Sequence, residues 1–510
     1  MTNPASAIRA LATYAVCIPL AALVGWMLCN PLDYGSLGFF GLVALLIISP
    51  ALIRWHYPLL VFGIGSPMYC FFLKGNPPMS QVVVILCLTI AIIDRTMNSN
   101  KRFISVPVMT WPMLFTGAMV YLTAELTGGI GLAALGGEVS GGKKYIAIFI
   151  GIATFYALVS RPIPKEHRNF YIALFFLPGA VQFFSDLFPV LPSPLNYINL
   201  LIPPSDGNAE GMSARLSGIS SSASVLANFM LVKYGLRGIF RGDRPLRFLL
   251  FFALLSLTLI GGFRSVLLSY IETLTVLFFM EGLHRTRILP VALLGMVLGA
   301  ALLIPFAHTL PYSFQRSLSF LPLKLDPLAV LDADGSKQWR EAIWQDTWPK
   351  VPDYLLLGKG YALSKEDFQM MGDGTFANGA QMAMDKSMTA LAISSDYHNG
   401  PLSTLMPFGV WGAISFLWIS GAVFFVLYRN YKFGDAELIT VNRYLLVIFS
   451  LGFIGFFLFF GAYTGALGDF IKFAGFSVAL NQGVCARKTQ PTVIHRIKPL
   501  PRHRSLPVTA

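Results

Sequence analysis

Four side chains of this sequence stand where they could bind an anion and accept a proton: Arg215, Arg264, Arg340 and His398. Guanidinium groups bind phosphate oxygens through paired hydrogen bonds, and in a partly dry site they stabilise developing negative charge. A neutral histidine can take a proton from a hydroxyl group. These residue types therefore predict the displacement of an anionic group by a hydroxyl nucleophile.

Arg215 lies in the segment 213–224, directly before an apolar run. Ser220, Ser221 and Ser222 are predicted to cap the N-terminus of the helix that follows. The unpaired N–H groups and the positive dipole end of that helix would then lie beside the arginine, a combination that attracts phosphate. The alternative is a loop arginine that pairs with a lipid headgroup.

Arg264 lies in Gly261-Gly-Phe-Arg-Ser265, a tight turn between two apolar runs. The glycines permit close helix approach, which places the arginine near the depth of the membrane. Charges at that depth are costly and tend to face a protein interior or a wet cavity. Glu272, about two turns along the next helix, is a candidate partner. The alternative is a boundary arginine whose charged end reaches the interface.

Arg340 lies in the segment 336–348, which predicts a short helix with Ser336 as N-cap and Pro349 as stop. Trp344 and Trp348 are four residues apart and share one face of that helix. Tryptophan is favoured at membrane interfaces, so the helix is expected to lie along the outer surface. The alternative for Arg340 is a solvated charge on an amphipathic helix.

His398 stands where a long polar segment meets an apolar run, in Asp396-Tyr-His-Asn-Gly-Pro401. Asn399 is predicted to cap the next helix, with Pro401 in its first turn. The helix dipole disfavours a positive charge there, so the histidine should be neutral and able to accept a proton. The alternative is a purely structural histidine.

Other motifs carry weaker signals. The segment 332–335, Asp-Ala-Asp-Gly, could begin a metal loop, but the remaining ligand spacing is missing, so we expect no metal or other cofactor. Asp469 and Lys472 are three residues apart and are predicted to pair. Gly358 and Gly360 predict a turn rather than a phosphate cradle. The five cysteines lie in or beside apolar runs and indicate no disulfide framework.

The elements that must position these residues are apolar helices. The chain is 55% hydrophobic and 12% charged, with a mean hydropathy of +0.63, whereas a soluble domain carries about twice that charge fraction. Apolar runs of about 20 residues match the thickness of a bilayer. We predict an all-α polytopic membrane protein with about 14 transmembrane helices, in a range of roughly 12–14. The candidate spans are 10–30, 34–50, 56–73, 80–94, 108–124, 145–160, 169–188, 221–236, 247–262, 265–281, 288–307, 402–428, 443–462 and 466–484.

Orientation follows from where the basic residues lie. The net charge of +13 could suggest nucleic acid, but the basic residues cluster in alternate short loops and in the last 25 residues. This is the positive-inside pattern, so both termini are predicted to be cytoplasmic, with membrane lipids and no nucleic acid as partners. The first apolar run lacks a convincing cleavage site and is expected to remain as a span.

The predicted organisation has four parts. Residues 1–307 form a transmembrane bundle of about 11 spans, 308–398 a large outer loop, 399–485 the C-terminal spans and 486–510 a basic cytoplasmic tail. Arg316 lies in the outer loop and is a further candidate for substrate binding. The sequence has no P-loop or dinucleotide fingerprint, so any work must be driven by the substrate or by an ion gradient.

The order of these motifs over about residues 210–430 resembles the bacterial O-antigen ligase and polysaccharide polymerase superfamily. The resemblance rests on an outer arginine with a glycine three residues on, an arginine in a tight inter-span turn, a large outer loop, and a His-Asn pair followed by two glycines. In this chain these are Arg215 and Gly218, Arg264, the loop with Arg340, Trp344 and Gly358-Lys-Gly360, then His398-Asn399 with Gly409 and Gly412.

The resemblance implies a GT-C-like, multi-span glycosyltransferase of the bacterial inner membrane. Its donor would be a glycan on a polyprenyl diphosphate, transferred at the periplasmic face without nucleotide sugar or metal. The acceptor would be another glycan or lipid A-core, and a polysaccharide assembly complex could surround the enzyme. Whether the reaction is ligation or polymerisation stays open.

By the same resemblance, the arginines of the outer face would bind the donor and the histidine would act on the acceptor. Arg215 and Arg264 would hold the diphosphate, and Arg340 would assist them. His398 would activate or orient the acceptor hydroxyl. The other residues expected to bind substrate are Arg316, Trp344 and Asn399. The family often has an aromatic residue after the His-Asn pair, whereas this chain has Gly400-Pro401, which leaves acceptor placement open.

Two other classes of protein remain as alternatives. A flippase or transporter for polysaccharide lipids predicts charges buried in mid-span, of which the sequence offers Glu272 and Asp469. A membrane scaffold in an assembly complex predicts no constellation of site residues.

Overall fold

Helices account for the regular structure throughout the part of the chain that the computed structural model describes. That part comprises residues 4–29, 34–73, 75–98, 100, 102–130, 141–187, 192–204, 216–362, 395, 397–458 and 461–487. Within it, the extended structure is limited to an isolated antiparallel bridge between Tyr69 and Pro78. The predicted all-α class is therefore confirmed for these residues.

Helices of the first half follow the apolar runs, with one difference from prediction. Their bounds are α1 Pro4–Cys29, α2 Tyr34–Gly65, α3 Met79–Met97, α4 Pro107–Thr127, α5 Gly142–Val159, α6 Arg168–Phe176 and α7 Phe184–Leu187. The predicted division into spans 34–50 and 56–73 is wrong, because α2 is continuous and contains Pro50 and Pro58. Helices in membrane proteins tolerate proline where neighbouring turns keep their hydrogen bonds.

In the second half, apolar helices flank a more polar segment that is itself helical. The bounds are α8 Ser217–Ile239, α9 Pro245–Thr258, α10 Arg264–Met280, α11 Ile288–Phe306, α12 Tyr312–Leu318, α13 Pro327–Thr347, α14 Val351–Tyr354, α15 Gly400–Phe433, α16 Ile439–Leu458 and α17 Tyr463–Asn481. The predicted start of the polar helix at Ser336 is wrong. Asp326 caps α13 by accepting a hydrogen bond from the N–H of Leu328 at 2.8 Å, and Pro327 suits the first turn.

Several helices of the described part are long and apolar enough to cross a membrane. There are seven such segments: Ile47–Gly65, Met79–Met97, Gly142–Val159, Lys165–Leu187, Ile288–Thr309, Gly400–Phe433 and Ala436–Leu458. The chain is thus a multi-pass membrane protein by length and composition, and the count of about 14 spans stays a prediction. Helices such as α8 and α10 carry buried polar residues, which lower their hydropathy because they face protein rather than lipid.

Contacts near helix ends fix the relative directions of α8, α10, α15 and α16. Glu281, directly after α10, pairs with Arg443 in the first turns of α16, with Nη1 and Oε1 2.9 Å apart. The same carboxylate accepts the N–H of Leu236 near the end of α8 at 3.1 Å. At the other end of α16, Phe456 lies against Gly400, the first residue of α15. Therefore α8 and α10 begin at the end of the bundle where α16 ends and α15 begins.

We call this end of the bundle, marked by Arg264, Gly400 and Phe456, the site end. Arg264 is the first residue of α10, and His398 lies two residues before α15. The fold thus brings these two predicted site residues, 134 positions apart in sequence, to the same end of the molecule.

A break in α15 ties the polar segment to the site end. Gly409 has φ 60° inside this helix, two residues after Pro407. The freed carbonyl groups of Met406 and Pro407 accept the N–H groups of Lys359 and Gly360 at 2.8 and 3.0 Å. The glycines of Gly358-Lys-Gly360 both have positive φ and form a turn, as predicted. Their N–H groups bind protein carbonyls instead of phosphate.

Replacing Gly400 by alanine should destabilise the fold. The added Cβ would collide with the carbonyl oxygen of Phe456, and overpacking of this kind costs about 1–3 kcal/mol. We expect a lower apparent melting temperature of the purified protein in detergent. The matched control is Gly421→Ala in the same helix, where nothing lies within 4 Å of the new Cβ. Equal melting temperatures for both variants would contradict the close packing of α15 on α16.

Candidate active site

Arg264 is held at the mouth of a tight turn between α9 and α10. The turn needs Gly262, which has φ 68°, a left-handed conformation that favours glycine. The guanidinium Nη2 donates a hydrogen bond to the carbonyl oxygen of Ala333 in α13. The predicted partnership with Glu272 is wrong, because Glu272 lines a cavity of about 450 Å³ between α8, α10 and α16. Arg264 and Glu272 are two turns apart on α10, about 12 Å along its axis, which is too far for a direct ion pair.

Arg316 in α12 joins the turn to α13. Its Nη1 donates to the carbonyl of Gly262 at 2.6 Å, and its Nε donates to Oδ2 of Asp332 at 2.7 Å. The side chain is buried, with 7% of its surface exposed. Arg316 was predicted to bind substrate, but two of its donors are already used in holding Arg264's turn against α13. These contacts favour a positioning role, and substrate binding by Arg316 stays a prediction.

Asp332, in α13, takes part in the same contact between α12 and α13. Besides the ion pair with Arg316, its Oδ2 accepts a hydrogen bond from the hydroxyl of Tyr312 at 3.3 Å. The segment 332–335 is part of α13 and does not form the loop that a metal site of this pattern requires. The carboxylate thus balances one of the arginines.

The three guanidinium groups of Arg264, Arg316 and Arg340 lie close enough to repel one another. Burial lowers the pKa of Arg340 from its ordinary value, and the charges of Arg264 and Arg316 lower this pKa further. Burial and Arg316 likewise lower the pKa of Arg264, against the opposing effect of Asp334 and Asp332. Arg264 and Arg340 stay protonated, because an arginine pKa lies far above neutrality. The fold therefore maintains a cationic cluster that a bound anion would stabilise.

Trp344 connects the cationic cluster to the histidine. It lies one turn after Arg340 in α13, and its indole Nε1 donates to the carbonyl oxygen of Tyr397 at 2.9 Å. The Tyr397 ring is buried in a small hydrophobic cluster with Ile343 and Leu402. This cluster packs α13 against the beginning of α15. Tyr397, the residue before His398, is therefore held by α13 through both its carbonyl oxygen and its ring.

His398 has a backbone conformation that is rare for a side-chain-bearing residue. Its φ is 45°, in the left-handed region that histidine adopts more often than most residues, at a cost of about 1 kcal/mol or more. Tyr397 anchors it from one side. On the other, Asn399 caps α15 by accepting the N–H of Leu402 at 3.0 Å, which confirms the predicted cap. Both anchors fix the backbone of His398 at the site end.

Arg215 lies outside the described residues, but the helix that follows it differs from prediction. The predicted capping by Ser220 and Ser222 is wrong, because their hydroxyls donate to the carbonyls of Thr258 and Ala180. The helix already begins at Ser217, so these serines face neighbouring helices. Asp186 caps α8 instead, accepting the N–H of Ile219 at 2.7 Å. A carboxylate thus occupies the helix end that was predicted to attract phosphate.

Residues 248–417 match the family model described as O-Antigen ligase. The resemblance to the O-antigen ligase and polymerase superfamily is confirmed. The ligase-family segment covers about a third of the chain and includes Arg264, Arg316, Arg340, Trp344 and His398. Arg215 lies before it. No curated protein matches the chain.

Three residues that position the elements of this candidate site were not predicted in these roles: Asp186, Asp332 and Tyr397. Asp186 and Asp332 act across 33 and 16 residues, so no local spacing marks them. Tyr397 carried a signal, because an aromatic residue directly before a His-Asn helix start can anchor that start. Burial raises the pKa of Tyr397 to about 12, so its phenol stays protonated beside His398 and does not act as a base.

Replacing Trp344 by phenylalanine should slow the reaction of the ligase-family site more than it weakens substrate binding. The variant keeps the ring but loses the hydrogen bond to Tyr397, which helps to position His398. We expect kcat to fall about 10- to 100-fold with little change in KM. The control is Trp348→Phe, in which the replaced side chain is 45% exposed. A fall of kcat that tracks the loss of melting temperature in both variants would indicate a purely structural role.

Proposed function

We propose that this protein transfers a glycan from a polyprenyl diphosphate to an acceptor hydroxyl at the periplasmic face of the bacterial inner membrane. The observation that carries the proposal is the joined arrangement of three arginines with His398, within the segment that matches the O-antigen ligase family. The membrane class and the family are consistent with a lipid-linked donor. Donor, acceptor and sidedness belong to the proposal.

The proposed reaction exchanges one bond of the sugar for another. The acceptor oxygen attacks the anomeric carbon of the donor sugar, and the bond from that carbon to the diphosphate oxygen breaks. His398 takes the proton of the acceptor hydroxyl as the new glycosidic bond forms. The polyprenyl diphosphate leaves with the electron pair of the broken bond. The energy of the diphosphate linkage drives the transfer, so no nucleotide is consumed.

The arginines act on the leaving group. Negative charge grows on the diphosphate as the bond breaks, and fixed guanidinium groups stabilise that charge more in the transition state than in the bound donor. Arg264 and Arg340 supply this field, with Arg215 as the third contact implied by the family resemblance. Arg316 holds Arg264's turn in place through Gly262.

The lipid tail explains why the site lies at the end of a bundle. The neighbouring helix α11 is highly apolar, and its apolar segment is not buried inside the protein. A polyprenyl chain can therefore remain in the bilayer while its diphosphate reaches the arginines.

This chain has Gly400 where the family often has an aromatic residue after the His-Asn pair. An aromatic ring is nevertheless present there, because the ring of Phe456 packs at the position where a side chain on residue 400 would lie. We propose that α16 supplies the aromatic group beside the His-Asn pair.

The transporter alternative is less well supported. It requires charged groups along a path through the bundle. Among the described residues, Glu272 lines the cavity between α8, α10 and α16, while Asp469 is paired with Lys472 at 2.7 Å, as predicted. The cationic cluster lies instead at the site end, where a transfer reaction at the membrane surface would take place.

The decisive experiment is transfer by the purified protein in vesicles. A polyprenyl-diphosphate glycan is supplied with either lipid A-core or a second lipid-linked glycan, in parallel reactions with and without EDTA. We expect a product joined to one of the two acceptors in both EDTA arms, and the preferred acceptor distinguishes ligase from polymerase. Movement of labelled lipid between leaflets without any joined glycan would overturn the proposal in favour of a transporter.

A further inference from the structure

A second basic region lies at the opposite end of the bundle from the candidate active site. The helix α5 begins beside the turn at the site end, where the hydroxyl of Tyr145 accepts the N–H of Tyr361 at 2.8 Å. It ends at Val159, and Arg161 follows two residues later. An α-helix rises about 1.5 Å per residue, so the 18 residues of α5 separate the two regions by about 27 Å. The charge pattern predicts this far end to be cytoplasmic.

Two cavities meet at Arg161. The first, of about 530 Å³, lies between the ends of α3 and α5 and is lined by His56, Arg95, Asn100, Arg102 and Phe103. The second, of about 410 Å³, lies between α2 and α6 and is lined by Arg54, Trp55, His167, Phe170 and Tyr171. Both share Arg161 with Pro162 and Pro164. We call the pair the twin basic cavities.

Positive charge predominates in the twin basic cavities. Four arginines line them, against a single carboxylate, that of Asp94. Two other arginines at this end of the bundle are paired with acids. Arg168 lies 2.9 Å from Asp435, and Arg443 lies 2.9 Å from Glu281. Within the twin basic cavities, four arginines therefore face a single carboxylate.

The walls of the twin basic cavities suit a lipid better than a soluble anion. Trp55 and Phe170 expose about half of their surfaces. Trp55 lies within α2, close to the level where α5 ends, since Tyr57 bonds Leu158 there, and tryptophan favours a membrane interface. Phe103 lies under the guanidinium of Arg95, 5.3 Å from the ring centroid, which holds that charge at the edge of the cavity. Acyl chains can lie against these rings while phosphates occupy the basic interior.

We propose that the twin basic cavities bind a diphosphatidyl anionic lipid of the cardiolipin class. Its two phosphates are joined by a short glycerol bridge, so one phosphate can enter each cavity with Arg161 between them. Basic pockets between helices on the cytoplasmic side are suited to such headgroups. The bound lipid links α2 and α3 to α5 and α6, where the hydroxyl of Tyr57 already bonds the carbonyl of Leu158 at 2.7 Å. This site is separate from the transfer reaction and does not depend on it.

The test measures lipid binding and thermal stability of the full-length protein in detergent. Cardiolipin, phosphatidylglycerol at equal phosphate concentration, and inorganic diphosphate are added separately. We expect cardiolipin to bind most tightly and to raise the apparent melting temperature most. Arg161→Gln and Arg102→Gln should each weaken its binding about fivefold, since an arginine near anionic lipid contributes about 1 kcal/mol. Arg241→Gln is the matched control, because it removes a charge at the same end that pairs with Asp243 at 2.9 Å.

Three outcomes would overturn the proposal. Equal binding of phosphatidylglycerol would show attraction to surface charge only. Full competition by inorganic diphosphate would show a site for a soluble anion. Equal weakening in the Arg241→Gln control would show no role for the cavities. If Arg161→Gln does not fold, Arg102→Gln and the charge-retaining Arg161→Lys provide the test. Arg161→Lys is expected to fold normally and to show a weaker preference for cardiolipin. Because no glycan is present, these results are independent of the transfer assay.

Discussion

Replacing His398 by asparagine should abolish most glycan transfer while leaving the protein folded. General acid–base catalysis contributes about 10²- to 10⁴-fold, so kcat should fall by that factor. Asparagine tolerates positive φ, and the native φ of 45° at this position can therefore be kept. The measurements are kcat and KM for the polyprenyl-diphosphate donor, with the apparent melting temperature of the same preparation. KM for the donor should change little, because the arginines bind it.

The pH profile separates catalysis by His398 from a structural role. A general base must be unprotonated to act, so transfer should decline as the pH is lowered. This decline should be absent from the residual activity of His398→Asn. The matched control is His308→Asn, at an exposed position after α11 near the same end. An unchanged acid limb in His398→Asn would remove His398 from the mechanism, whatever its effect on the rate.

Replacing Arg264 by glutamine should lower kcat by about 10²- to 10³-fold, the loss measured when one group that stabilises a developing anion is removed. Two effects combine in this variant. The charge that faces the leaving diphosphate disappears, and so does the guanidinium hydrogen bond to Ala333 of α13. Arg264→Lys should recover only part of the rate, because an ammonium group keeps the charge but lacks the planar fork for a diphosphate.

The control for Arg264 must remove one positive charge from the same end of the bundle. Lys337→Gln does this, since Lys337 is an exposed residue of α13 that pairs with Glu341 at 3.6 Å. Its transfer rate should stay close to native. A rise in KM for the donor with unchanged kcat in Arg264→Gln would show that the arginine binds donor and transition state equally. That result would contradict its proposed part in stabilising the leaving group.

Local features of the site could be predicted from the sequence because they depend on neighbours in the chain. The cap at Asn399 and the pair of Asp469 with Lys472 involve residues three positions apart. The turn at Gly358 and Gly360 follows from residue types that permit positive φ. The all-α membrane character follows from hydropathy, and the order of the basic motifs was enough to indicate the ligase superfamily. Each of these features can be recognised without knowledge of the packing.

Only the tertiary structure decided which residues share a site. Arg316 reaches Gly262 across 54 residues, and Trp344 reaches Tyr397 across 53. Contacts of this kind form when helices pack, and spacing along the chain does not encode them. The errors have the same origin, because Asp186 from α7 caps α8 and releases its serines to bond neighbouring helices. The sequence by itself determined the membrane class and the kinds of residue that we propose to carry chemistry. Packing determined that Arg264, Arg316 and Arg340 form one cluster joined to His398, because burial makes backbone and charged groups find partners wherever the fold brings them.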